Sequence, residues 1–245
     1  MVAEIIGTKI AYDVYGSGKP IICIHGWLEN RKCFRYQSYK NFLKDYKVIA
    51  LDLPGFGGSS DPKEFTFEEI TKIIDGFAEE LGLESFDIIG QCMGTDFVLD
   101  YAIRYPQKVS KVILVEPMIY FPWWFKALLI PKINKGIMKA FINYKMLSRI
   151  MNKYRPIKGF RRDMQRMKSL QKANVNSALQ YVKLLRNYSK GNQEERIKEI
   201  RKDVVIVSGG KTFRQVKKSI RILKKIFNEA NHIEDKEKNH FIFFP

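Results

Sequence analysis

The sequence predicts an α/β protein: a mostly parallel central sheet flanked by helices, with a helical cap inserted late in the chain. Three observations carry this. A continuous apolar run at residues 20–24 and largely apolar runs at 46–51 and 109–115 stand along the chain, as strands buried on both faces of a parallel sheet do. Segments with helical periodicity separate them, and that alternation builds a parallel sheet. The alternation stops at Met118 and resumes at Asp203.

Taken in order, residues 2–15 predict two short strands around Gly7, and Gly16-Ser17-Gly18 a turn. The run at 20–24 is a buried strand ending in His25-Gly26-Trp27. Residues 30–45 predict a helix with apolar positions at Phe34, Tyr39, Phe42 and Leu43. The strand at 46–51 leads into the glycine-rich loop Asp52-Leu53-Pro54-Gly55-Phe56-Gly57-Gly58-Ser59. Thr66 and Glu69 have capping-box spacing, and Gly82 suits the far end of that helix.

A strand over 86–90 then breaks into Gly90-Gln91-Cys92-Met93-Gly94, and a helix follows to about Tyr105. A strand that ends in Gly-x-nucleophile-x-Gly and turns at once into a helix is a nucleophile elbow. Its flanking positions leave no room for side chains, hence the glycines. The central residue is Cys92. A thiol reacts near neutral pH when a base or a positive neighbour serves it, and an imidazole can do so. The next strand, 109–115, ends at Glu116. After 203–210 come a helix over about 213–227, a strand near Ile233 and a final loop holding His240.

Together, His25-Gly26, the Asp52-to-Ser59 loop, the Gly-x-Cys-x-Gly elbow and Asn239-His240-Phe241 resemble the α/β-hydrolase superfamily in order and spacing. The resemblance covers 1–117 and 203–245, the expected core; 118–202 is the expected cap. It implies Cys92 as nucleophile in place of the usual serine, and His240 as general base and acid. It places the oxyanion hole on the backbone N–H groups of Trp27 and Met93. Thr212 stands where the orienting acid is usual. Some members carry that acid one strand earlier, which here is Glu116. Glu116 is equally readable as a loop-edge glutamate pairing with lysines. The family normally adds a helix after the histidine, and five residues remain here after His240.

Cysteine at the elbow points toward thioester chemistry, because an acyl-cysteine is close in energy to a thioester donor. The expected activity is hydrolysis or transfer of an acyl group from a thioester or ester. The other reading is an inactive member that binds a hydrophobic ligand, an acidic carrier protein or a membrane surface through its cap. No cofactor or metal ion is expected, since Cys23, Cys33 and Cys92 lack metal-ligand spacing.

The net charge is +17, and all of it falls in one segment. From Met118 to Lys202 there are 21 Lys and Arg against 4 Asp and Glu, while the rest carries 22 of each. A localised acidic partner is the reading this supports. Trp123, Trp124 and Phe125 are the expected substrate-pocket residues. After them Ile133, Ile137, Phe141, Tyr144, Leu147, Met151 and Tyr154 recur at helical spacing, opposite a lysine-rich face. That helix can pack on the core, line an acyl pocket, dock CoA phosphates or an acidic carrier protein, or lie on an anionic membrane. Nucleic acid is not expected, as no binding motif accompanies the charge. The chain start lacks a secretory signal, so a cytoplasmic location is expected, with peripheral membrane contact as the alternative.

Overall fold

Eight strands form one sheet in the order β1-β2-β4-β3-β5-β6-β7-β8 in the computed structural model. It describes residues 1–121, 123–142, 174–238 and 240, with backbone only at 37–38, 123–124 and 140–142. The strands are β1 (Val2–Ile5), β2 (Thr8–Tyr15), β3 (Lys19–Ile24), β4 (Tyr46–Leu51), β5 (Phe86–Gln91), β6 (Val109–Val115), β7 (Asp203–Gly209) and β8 (Asn231–Asp235). β1 pairs antiparallel with β2, and β2 antiparallel with β4; every later pairing is parallel. The apolar runs fill the middle of the sheet. Ile22 and Ile24 bury on one face and Ile21 and Cys23 on the other, where Cys33, Phe34 and Tyr39 join them. Cys23 and Cys33 are thus packing residues, and burial pushes both thiols up.

Among the described residues the helices are α1 (Gln37–Phe42), α2 (Phe67–Glu80), α3 (Gly94–Arg104), α4 (Asn134–Ile142), α5 (Val175–Tyr188), α6 (Gln193–Ile197) and α7 (Arg214–Ile226). α2 begins as its spacing predicts: Thr66 accepts from the Glu69 N–H at 3.1 Å. It ends at Gly82, whose φ of +64° is the left-handed cap conformation.

Residues 30–45 correct one expectation. The single helix is a 3-10 turn, Arg31–Arg35, followed by the short α1. Tyr36 is extended, with ψ 145°, and separates the two.

Between β6 and β7 the described residues form a 3-10 turn (Trp123–Leu129), α4, α5 and α6. α5 lies over the loops that follow β3 and β4. Tyr181 donates to the Pro54 carbonyl at 2.9 Å, Ser177 to Asp61 at 2.6 Å, and the Trp27 indole to the Ala178 carbonyl at 3.2 Å. Ile133 is a further correction: it precedes α4 and is 47% exposed, while Met138 is buried. The positions from Phe141 to Tyr154 in the predicted apolar face lie outside the described side chains. Among the described residues no helix is long and apolar enough to cross a membrane.

Candidate active site

β5 delivers Cys92 to the carboxyl edge of the sheet, and α3 begins two residues later. Cys92 has φ +51°, the left-handed conformation of an elbow nucleophile. The peptide is held there by Cys92 N–H to the Val115 carbonyl at 2.9 Å and Thr95 N–H to the Cys92 carbonyl at 3.1 Å. Both glycines are required by space. A Cβ on Gly90 would lie 2.5 Å from the Gly94 carbonyl oxygen, and one on Gly94 would lie 2.4 Å from that of Ile24. The thiol is half-buried at the start of α3, where the helix's unpaired N–H groups gather.

Glu116 follows β6 and also has φ +51°. Its N–H continues the ladder to the Val207 carbonyl at 2.8 Å. Its side chain, 0% exposed, reaches across the end of β7. There Oε1 accepts the Gly209 N–H at 2.5 Å, and Oε2 accepts the Thr212 hydroxyl and His240 Nδ1, the latter at 2.8 Å. The imidazole of His240, 8% exposed, is also hydrogen-bonded to Cys92. With Nδ1 on Glu116, Nε2 is the nitrogen left for the sulfur. Burial alone would lower the pKa of His240; contact with Cys92 and then Glu116 outweighs it and raises the group to about 10. The Phe213 ring, 4.8 Å away, covers one side of the imidazole.

The other two histidines are placed differently. His25 is fully buried, and its Nε2 accepts the Leu53 N–H at 3.0 Å. Its Nδ1 therefore carries the proton and donates to the Gly26 carbonyl at 2.8 Å. Burial holds it below the usual range, which fits that neutral form. His232 in β8 meets Ser208 at 2.9 Å. Asp52 and Asp61 both lie in the loop after β4. Asp52 accepts from the Arg31 side chain, the Arg31 N–H at 2.6 Å and the Gly58 N–H at 2.7 Å.

The structure thus brings Cys92, His240 and Glu116 together. Met93 has helical angles just ahead of α3, so its N–H belongs to the group that lacks an intrahelical acceptor. Phe125 is buried with its ring 4.6 Å from that of Trp27. The side chains of Trp123 and Trp124 lie outside the described residues.

Beside Met93, a cavity of about 10 Å³ is bounded by Asp96, Met118, Phe121 and Leu185. It has room for one water-sized group. Burial, and then Asp100, push the Asp96 carboxyl well above the usual range. Among the described residues no group of three or more His, Cys, Asp or Glu could hold a metal ion.

Two participants were not legible in the sequence. Thr212, where an acid is usual, is instead a donor to Glu116. Glu29 is buried beneath the Gly26 loop. The one signal for it was a carboxylate three residues after His25-Gly26.

A family profile described as the alpha/beta hydrolase fold matches residues 19–245. The chain is 32% identical over 114 residues to an uncharacterized hydrolase, YugF, of Bacillus subtilis, covering 44% of this chain and 41% of that protein. It is 31% identical over 114 residues to a haloalkane dehalogenase of Agrobacterium fabrum, covering 46% and 37%. These matches span about two fifths of the curated relatives' length. The solved enol-lactonase from Burkholderia xenovorans is similar with a TM-score of 0.79 and 15% identity, over 96% of this chain and 91% of that one. That likeness speaks for the fold alone. With the profile spanning nearly the whole chain, and the elbow, the parallel sheet and the late histidine all in place, the chain belongs to the α/β hydrolase fold family.

Proposed function

We propose that this protein is a hydrolase-type enzyme that forms an acyl-cysteine at Cys92. One observation carries the reading: hydrogen bonds run continuously from Cys92 through His240 to Glu116 at the carboxyl edge of the sheet. In the first step the sulfur attacks the acyl carbonyl while His240, its pKa raised by its neighbours, holds the proton. The bond to the leaving alcohol or thiol breaks, and that group takes the proton from His240. Water, or another acceptor, then attacks the acyl-cysteine, gives its proton to His240 and releases the acyl product. That proton stays on His240, which pairs again with the freed sulfur. Glu116 keeps the imidazole in the tautomer this needs and stabilises the imidazolium. The Trp27 and Met93 N–H groups stabilise the oxyanion in both steps.

Thioesters are the favoured donors. Exchange of one thioester for another is nearly neutral in free energy, whereas forming a thioester from an ester is uphill. Residues 118–202 act as a cap over this site, a reading supported by the bonds from α5 to Pro54, Asp61 and Trp27. Their cationic excess suits an acyl group carried on CoA or an acidic carrier protein.

The test is intact mass after incubation with acyl thioesters and activated esters of several chain lengths. An acyl adduct on the wild type, absent from Cys92→Ala, is the expected result. No adduct and no turnover, together with slow alkylation of Cys92 by iodoacetamide, would reject the enzyme and leave the inactive binding protein.

A further inference from the structure

A second carboxylate lies beneath the site and takes no part in the steps above. Glu29 is 4% exposed. Its Oε2 accepts the Gly26 N–H at 2.9 Å, and its Oε1 accepts the Gln91 side-chain amide at 3.2 Å. The Gln91 amide oxygen accepts the Tyr39 hydroxyl at 2.5 Å. The backbone of Glu29 closes the loop from the other side, its N–H meeting the Gly26 carbonyl at 3.2 Å. Gly26 is therefore held at both its N–H and its C=O by one residue, and His25 Nδ1 is a second donor to that carbonyl.

The consequence falls on the next N–H. The Gly26 carbonyl and the Trp27 N–H belong to one planar trans peptide and point in opposite directions. Fixing the carbonyl fixes the aim of the Trp27 N–H. The loop is also wedged against the nucleophile. A Cβ on Gly26 would lie 2.8 Å from Glu29 Oε2 and 3.3 Å from Cys92 Cβ. We infer that Glu29 is a positioning residue for the oxyanion hole, whose carboxylate oxygen clamps Gly26 so that the Trp27 N–H faces the oxyanion formed at Cys92. This rests on the acyl-cysteine reading.

The property that matters is an acceptor at the right reach, not a charge. Glutamine can supply it. Its amide oxygen can take the Gly26 N–H while Gln91 turns its own amide over, since the Tyr39 hydroxyl can accept as well as donate. Methionine matches the length without an acceptor and leaves a buried N–H unpaired. Aspartate keeps the charge but falls one methylene short.

The experiment compares two reactions of Cys92 in each variant. Acylation by p-nitrophenyl acetate, read as the nitrophenolate burst and by intact mass, develops an oxyanion. Alkylation by iodoacetamide displaces iodide and develops none. Glu29→Met and Glu29→Asp are expected to slow acylation about a hundredfold, the scale of losing one oxyanion donor. Glu29→Gln stays within about fivefold of wild type, near the ordinary worth of one hydrogen bond, and alkylation is unchanged in all three. If Glu29→Met does not fold, the Asp and Gln pair still decides. The inference is overturned if acylation is unchanged in the Asp variant, if acylation and alkylation fall together, or if Gln is as slow as Asp. A wild type that alkylates but never acylates would instead bring down the acyl-cysteine reading, and this inference with it.

Discussion

Glu116 is held by three donors from two parts of the chain: the Gly209 N–H and the Thr212 hydroxyl at the end of β7, and the His240 ring. All three donate to it, which is what a buried carboxylate needs to offset desolvation. Glu116→Gln puts an amide nitrogen against at least one of those donors and cannot hold the imidazolium electrostatically. Turnover of an acyl substrate is expected to fall at least about tenfold; an unchanged rate would reject the role. His240 adds a pH dependence. Its folded pKa of about 10 lies above its unfolded value. Its stabilisation is therefore present in full below about pH 6.5 and is lost as pH rises through about 10. Urea unfolding of wild type and His240→Gln should differ most near pH 6 and converge toward pH 10. A constant difference would show that the proton is not bound more tightly in the folded state.

At the scale of elements, the start of α3 is packed directly against the end of β3. The space beside Gly94 is bounded by the Ile24 and His25 carbonyl oxygens, which would stand 2.4 and 2.8 Å from a Cβ at that position. These are backbone atoms at the end of a central strand and cannot turn away as a side chain would. Gly94→Ala is therefore expected to cost about 1–3 kcal/mol or more through overpacking. The urea midpoint checks it, and acylation of Cys92 should fall in the same variant because the elbow moves with the strand. The left-handed φ at Cys92 and Glu116 is the other device at this scale. It turns each side chain out of its strand's alternation and toward the neighbouring strand end, where they meet His240.

For the whole molecule, Asp100 joins four helices. Its carboxylate, buried in α3, meets Arg104 at 2.6 Å and Arg196 of α6 at 2.8 Å, with Thr71 of α2 at 3.4 Å and Tyr188 of α5 at 3.5 Å. Both arginines are about a third exposed, so water can take them when the carboxylate is removed. Asp100→Ala should cost about 1–3 kcal/mol, less than breaking a fully buried pair. It should also make residues 174–202 the first region to lose amide-exchange protection. Uniform loss across the molecule would argue that α5 and α6 are held by apolar packing alone.

How much of this was legible follows from where each property resides. The alternation of apolar runs with helical periods is local, so the α/β class, the parallel sheet and nearly every strand could be read from the chain. The elbow was legible because its glycines answer to a steric demand within five residues. His240 was legible from its place after the last strand. The sequence left Glu116 open between two roles, because its surroundings come from β7 and the loops beyond, about a hundred residues away. The tertiary structure brings those donors to it and turns it inward with a left-handed φ. Thr212 and Glu29 were hidden for the same reason. A hydroxyl or carboxyl in a loop acquires its meaning from the N–H, hydroxyl or imidazole that folding places beside it. Composition and spacing determined what kind of fold this is and which thiol stands at its elbow; only the packed structure decided which carboxylates meet His240 and Gly26 beside that thiol, because hydrogen-bond partners are set by space and not by order along the chain.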